Sequence, residues 1–192
     1  MQSPAKVAAR DQLLAARGRR PLAEVVATAH SLAGHLLAAP EVRRAATVAA
    51  YVSMNGEPGT GPLLDGLRAA GKRVVLPVLL PDDDLDWAVY EGPESLVPAR
   101  FGLLQPSGER LGVDAVATAD VVLVPGLAVS ADGVRLGRGG GSYDRALGRV
   151  PVGTYTCVLL YDAEVAVPVP SEAHDRPVSY AATASGVVRL RG

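Results

Sequence analysis

The chain has 192 residues, 48% of them hydrophobic, a formal net charge of −1 and a single cysteine, Cys157. That length suits one domain with a real core, and so much Ala, Val and Leu excludes a disordered chain. The near-neutral charge argues against a general nucleic-acid binder, the lone cysteine against a disulfide framework, and the absence of an apolar run near ~20 residues against a membrane span.

Residues 5–17 have helical spacing, with Val7, Leu13 and Leu14 apolar and Lys6, Arg10 and Arg17 charged. Lys6 and Arg10 stand one helical turn apart and share a face. The basic balance of this stretch superficially resembles a transit peptide, but the rest of the chain reads as an ordinary cytoplasmic enzyme. Pro21 suits the first turn of a second helix over 21–38, which closes before Pro40. Residues 45–53, with Val48, Tyr51 and Val52, predict a buried strand. A loop over 54–61 follows. Thr60 is the expected cap of the next helix, with Pro62 just inside it and Gly71 after its end. Residues 73–80 predict a second strand, Asp82 to Asp84 a solvated turn, and 87–90 a third strand with Trp87 in the core. Residues 92–118, rich in Pro and Gly, read as irregular.

Val121 to Val124 is all apolar, which suits the middle of a parallel sheet. A glycine-rich segment comes next, then a helix from Ser142, a strand over 152–160, and one or two short strands within 175–190. Strand–helix alternation predicts an α/β fold, a three-layer Rossmann-like domain over 1–192. Its central sheet is largely parallel, with helices on both faces. Ligands in such sheets sit beyond the carboxyl ends of the strands, so the loops at 53–60 and 125–143 are expected to meet there.

The segment from Gly133 to Gly141 holds five glycines and two arginines, and Tyr143-Asp144-Arg145 follows at once. Glycines let backbone N–H groups converge, a helix start adds unpaired N–H groups, and Arg135 and Arg138 add forked donors. These parts describe a polyanion pocket, most simply for nucleotide phosphates. The segment is not a P-loop, because no Gly-Lys-Ser/Thr ends it, and not the dinucleotide fingerprint, because Ser142 holds the third glycine position. His30 and His35 do not share a helix face and make a poor metal pair. His174 is expected to order its loop, and Cys157 to be inert within an apolar strand.

Val124-Pro125-Gly126-Leu127-Ala128, then Asp132-Gly133, then Arg135 through Arg145, resemble the signature of the 5-formyltetrahydrofolate cyclo-ligase family. Three weaker stretches agree: Lys6 with Arg10, Ser53-Met54 with Glu57 and Thr60, and residues 170–175. The resemblance implies an ATP- and Mg²⁺-dependent ligase that converts 5-formyltetrahydrofolate to 5,10-methenyltetrahydrofolate with release of ADP and phosphate. It places ATP on Lys6, Arg10, Arg135, Leu136, Gly137, Arg138, Gly139, Gly140, Gly141, Ser142 and Tyr143. Met54, Glu57, Phe101 and Tyr143 fall on folate positions, Asp144 and Asp175 on magnesium positions, and Arg138 with Tyr143 at the reacting centre. The implied enzyme is a cytoplasmic monomer of one-carbon metabolism that acts on small molecules, without nucleic acid or membrane. Three positions depart from the family pattern. Gly59 stands where a second acid is usual, Gly140 where some members have lysine, and Ser142 where an aromatic often stands. Glu57 either accepts from the pterin edge or only shapes the turn before Pro58. Two rival readings remain at this level: a non-catalytic nucleotide-binding interaction domain that kept the phosphate loop, and a sugar-phosphate isomerase on a related scaffold.

Overall fold

The computed structural model describes residues 4–54 and 56–191, so Asn55 in the loop after the first strand lies outside the described residues. Helix α1 (Pro4–Gly18) and α2 (Leu22–Ala38) stand where the spacing puts them. Pro40, which stops α2, opens an unexpected five-residue α3 (Pro40–Arg44), since a proline costs nothing at a helix's first position. Strand β1 (Thr47–Ala49) is much shorter than the apolar run 45–53, whose second half leaves the ladder to line a cleft. Helix α4 (Gly61–Ala69) follows, with Thr60 at its N-cap position.

Thr60 does not cap the helix as expected. Its hydroxyl accepts the Ser53 N–H at 2.9 Å, and the Ser53 hydroxyl accepts the Thr60 N–H at 3.0 Å. This reciprocal pair staples the two ends of the 53–60 loop.

Strands β2 (Arg73–Leu79) and β3 (Leu85–Val89) form a hairpin. The region over 92–118 is less irregular than its Pro and Gly suggest. It carries 3₁₀ turns and an antiparallel ribbon of β4 (Leu96–Pro98) and β5 (Leu104–Pro106). After β6 (Val121–Pro125) a second small ribbon, β7 (Ala128–Val129) with β8 (Arg135–Leu136), holds the start of the glycine segment. Helix α5 (Ser142–Arg149) and β9 (Tyr155–Leu159) come next, then the hairpin β10 (Tyr180–Thr183) and β11 (Gly186–Arg189).

The main sheet runs β11-β10-β9-β6-β1-β2-β3. Its interior pairings, β10 with β9, β9 with β6, β6 with β1 and β1 with β2, are all parallel, and each edge is an antiparallel hairpin. Alternation divides the core into two layers. Val48, Val74, Leu76, Leu123 and Cys157 pack with Leu32 and Leu36 of α2 and Leu63 and Leu67 of α4. Ala49, Val75, Val122, Val124 and Val158 pack with Ala146 and Leu147 of α5 and with Trp87. The chain leaves β1 toward β2 on one side and returns through β6 toward β9 on the other. The topological switch therefore lies between β1 and β6, where such folds bind ligands.

The Asp82–Asp84 turn corrects a sequence reading. Asp84 is not solvated but buried, and both its oxygens accept from Arg149 of α5, at 2.9 and 2.6 Å. The Arg149 hydrogen bonds hold the Asp84 carboxyl below the usual carboxylate range despite its burial. The sequence hid this because the turn's partner lies 65 residues away. Asp84→Asn is expected to lower stability by about 1.5–3 kcal/mol at neutral pH, the worth of hydrogen bonds to a charged group. Because the folded value is depressed, the deficit is full above the unfolded value of about 3.9 and disappears as pH falls through the folded one. Urea unfolding of both proteins across that range checks it.

Candidate active site at the switch point

A cleft of about 860 Å³ opens over the carboxyl ends of β1 and β6. All the candidate site residues line it: Lys6 and Arg10, Met54 and Glu57, Phe101, the run from Arg135 to Asp144, and Asp175. The loops at 53–60 and 125–143 do meet, where Arg138 Nε donates to Glu57 Oε1 at 3.3 Å.

Helix α1 spans this edge, and its two buried residues are cations, Lys6 and Arg17. Lys6 Nζ donates to Asp175 at 2.8 Å and to Glu172 at 2.9 Å. Burial pulls the Lys6 ammonium down, but its hydrogen bonds to Asp175 and Glu172 outweigh that and raise it. Arg10 Nε donates to the Gly137 carbonyl at 2.8 Å. Arg17 makes a forked pair with Glu164, both contacts at 2.8 Å, and a third bond to the Gly126 carbonyl at 2.7 Å. Glu164 Oε2 also accepts the Tyr161 N–H at 3.0 Å.

Arg17 and Glu164 escaped the sequence reading. Lys6, Arg10 and Arg17 fall at i, i+4 and i+11, one stripe of the helix. That spacing was the available signal for Arg17. Glu164 has no comparable local signature.

The glycine segment folds around its own arginine. Arg135 is buried; it donates to the Pro125 carbonyl at 3.2 Å and to Asp144 at 3.3 Å. A Cβ on Gly137 would stand 2.6 Å from the Arg135 guanidinium, so any side chain here would push that guanidinium aside. Gly141, at φ +70, turns the chain into α5. Gly139, Gly140, Ser142 and Leu136 complete the lining.

Three side chains crowd the deeper part of the cleft. Glu57 is buried, and its Oε2 accepts the Met54 N–H at 2.8 Å, so the carboxylate does shape the turn. Burial, then the Glu57 charge, push the Tyr143 phenol well up, and the same two causes raise Tyr51. Both phenols stay neutral near pH 7. Tyr51 is a further lining residue that read from sequence only as part of a strand. Met54 is half-buried, whereas Phe101 sits on the rim, 73% exposed and at φ +60.

Asp144 accepts the N–H of Arg176, the residue after Asp175, at 3.3 Å. Asp175 is held by Lys6 and by the Glu172 N–H at 2.7 Å. Burial raises the Asp175 carboxyl, but the Lys6 hydrogen bond and the Glu172 N–H bring it below its ordinary value. Glu172, His174 and Asp175 present ligand atoms within 4.8 Å of one another. His174 is exposed with Nε2 3.4 Å from Glu172, consistent with a loop-ordering role. Cys157 is buried and its thiol is pushed up by burial, as an inert core cysteine should be. His35 bonds the Ala184 carbonyl instead of a histidine partner. No described helix is long and apolar enough to cross a membrane.

Fold and cleft together define a doubly wound α/β protein with an open cleft at the topological switch point, where such folds bind ligands. The family model of the 5-formyltetrahydrofolate cyclo-ligases matches residues 2–184, and the chain belongs to that family. A 5-formyltetrahydrofolate cyclo-ligase of Mycolicibacterium smegmatis is 41% identical over 151 residues, covering 76% of this chain and 77% of the relative. Its Escherichia coli K12 counterpart is 35% identical over 163 residues, covering 81% and 87%. Among solved structures, the 5,10-methenyltetrahydrofolate synthetase of Aquifex aeolicus superposes with a TM-score of 0.81 at 28% identity, over 97% of this chain and 93% of its own. The Mycoplasma pneumoniae synthetase shares the fold at a TM-score of 0.75 and 19% identity.

The Arg17–Glu164 pair generates a stability prediction. Arg17→Met leaves a buried carboxylate alone and is expected to cost about 3–5 kcal/mol; adding Glu164→Leu should recover part of the loss. Urea unfolding of the single and double variants checks both signs.

Proposed function

We propose that this enzyme closes 5-formyltetrahydrofolate to 5,10-methenyltetrahydrofolate while ATP becomes ADP and phosphate. The observation that carries the reading is the convergence on one cleft of the glycine segment, the α1 cations and the Met54–Glu57 loop. The names of the Mycolicibacterium and Escherichia relatives support the substrate, and the name of the Aquifex structure supports the product.

In this proposal Lys6, Arg10, Arg135 and the segment Leu136 to Tyr143 hold the nucleotide phosphates through charge-assisted bonds and converging backbone N–H groups. Met54 and Tyr143 give the pterin an apolar and aromatic surface, and Phe101 meets it at the rim. The formyl oxygen attacks the γ-phosphorus and the bond to ADP breaks. N10 then adds to the activated formyl carbon and loses its proton, and the carbon–oxygen bond breaks to release phosphate. Arg138 offsets the charge on the transferring group, and the neutral Tyr143 phenol can donate a hydrogen bond in the same place. Positioning and charge neutralisation are what such a transfer asks of a protein.

Glu172, His174 and Asp175 bring ligand atoms within 4.8 Å of one another, a donor set that suits Mg²⁺, and Asp144, bonded to the N–H of the next residue, Arg176, would join it. The ion, when bound, would neutralise the phosphate oxygens. In this proposal the enzyme acts on small molecules as a monomer. A cytoplasmic setting suits its folate substrate.

The test is formation of the methenyl chromophore from 5-formyltetrahydrofolate. Product is expected only with both ATP and a divalent ion; equal rates in chelator without nucleotide overturn the proposal. Nucleotide binding without product would instead favour the interaction-domain reading. Conversion of a sugar phosphate without ATP would favour the isomerase. Arg138→Ala is expected to cost about 10- to 150-fold at sub-saturating ATP, as one charge-assisted contact implies. Near-wild-type rates would place that side chain in solvent.

Glu57→Gln tests the pterin contact separately. The amide oxygen still accepts the Met54 N–H, so the turn survives while the charge is lost. Apparent folate affinity is expected to fall about tenfold, with a smaller change in ATP dependence from the altered Arg138 contact. Unaltered folate dependence would leave Glu57 with the turn alone.

A further inference from the structure

The Asp82–Asp84 turn, which the proposed reaction does not use, touches both ends of the cleft. Asp83 lines that cleft. Its Oδ1 accepts Arg100 Nη2 at 2.8 Å, with both side chains 47% exposed. Its carbonyl accepts Arg145 Nη2 at 2.7 Å, and the same nitrogen reaches the Gly140 carbonyl at 3.2 Å. One residue is thus bonded through its side chain to the tip of the β4–β5 ribbon and, by way of Arg145 of α5, through its backbone to the glycine segment.

At the ribbon tip the Arg100 guanidinium lies 5.0 Å from the centre of the Phe101 ring. Phe101, Leu103 and Leu104 line the cleft beside it. Asp83 and Phe101 both hold left-handed backbone, at φ +63 and +60; aspartate enters that region readily, whereas an aromatic residue needs neighbouring contacts to hold it there. Arg100 contacts both of them.

We infer that Asp83 is a positioning residue that couples the phosphate-binding segment to the Phe101 ribbon, so that occupancy of one half of the cleft favours occupancy of the other. The inference rests on the proposed assignment of nucleotide to the glycine segment and folate to the Phe101 side. A ligand that orders Gly140 fixes Arg145 and with it the Asp83 carbonyl. The Asp83 carboxylate is then aimed at Arg100, which sets the ribbon tip. An exposed ion pair is weak, which suits a contact that breaks to release product. Linkage makes the effect reciprocal: each ligand tightens the other by the same factor.

The experiment measures equilibrium binding of a non-hydrolysable ATP analogue with Mg²⁺, with and without 5-formyltetrahydrofolate, and the converse. Wild type is expected to show mutual tightening of about two- to fivefold, the scale of an exposed ion pair. Asp83→Asn, Arg100→Gln and Arg145→Gln should each bring that factor toward one while changing the single-ligand affinities less. Asparagine tolerates left-handed backbone, so the first variant removes the charge without new strain. Arg100 and Arg145 are each more than 40% exposed, so their variants keep the inference testable even where the Asp83 one folds poorly. In turnover, the variants should raise the folate KM at saturating ATP with kcat retained. No mutual tightening in wild type, or full tightening in all three variants, overturns the inference. Tightening without methenyl product would sink the reaction but leave the coupling. Failure of either ligand to bind sinks both.

Discussion

The buried ion pair between Arg17 and Glu164 fixes the first helix, and much of the site depends on where that helix lies. Helix α1 has almost no apolar anchor. Val7 and Leu14 face solvent, and the residues it buries are Lys6 and Arg17. A helix fastened by charge is oriented more narrowly than one held by grease, because each forked contact defines direction as well as distance. Arg17 also ties down the Gly126 carbonyl, just past β6, so one guanidinium fixes α1 against the strand that ends at the switch point. Lys6 and Arg10 are then delivered to the Asp175 loop and the glycine segment as a consequence.

The glycine segment shows a second economy. Its shape is set from inside by Arg135, which lies under the loop and bonds backward to Pro125 and forward to Asp144. Hence the same arginine that sequence reasoning assigned to a ligand also serves as the loop's internal strut, whereas Arg138 is 41% exposed and faces Glu57. A cleft assembled this way has its cations partly compensated by carboxylates before any ligand arrives. Desolvation on binding is thereby lessened, because the charges already sit in a polar network.

Periodicity and turn chemistry carried the sequence reading a long way. Helices α1 and α2, the central strand β6, the helix start at Ser142 and the meeting of the two loops were all legible, because each is set by local pattern or by the general geometry of parallel sheets. What was not legible depended on distant partners. Asp84 looks like a solvated turn until Arg149 is brought to it, and Glu164 looks ordinary until Arg17 reaches it. Thr60 was placed correctly as the residue before α4 but was given the wrong bond, since Ser53 competes for it across the loop. The candidate site residues were recognisable from motif order, and they line one cleft; which contacts they prefer among themselves was not written in any spacing.

That Ser53–Thr60 staple has a consequence for how the enzyme can change. Because two hydroxyls close the neck of the 53–60 loop, the segment between them is mechanically separated from the strand before it and the helix after it. The ring still leans on its other neighbours: a Cβ on Gly59 would stand 3.0 Å from that of Ala29 in α2, and Glu57 accepts from Arg138. Selection can therefore retune this stretch only together with its neighbours in α2 and the glycine segment, while β1 and α4 are left in place.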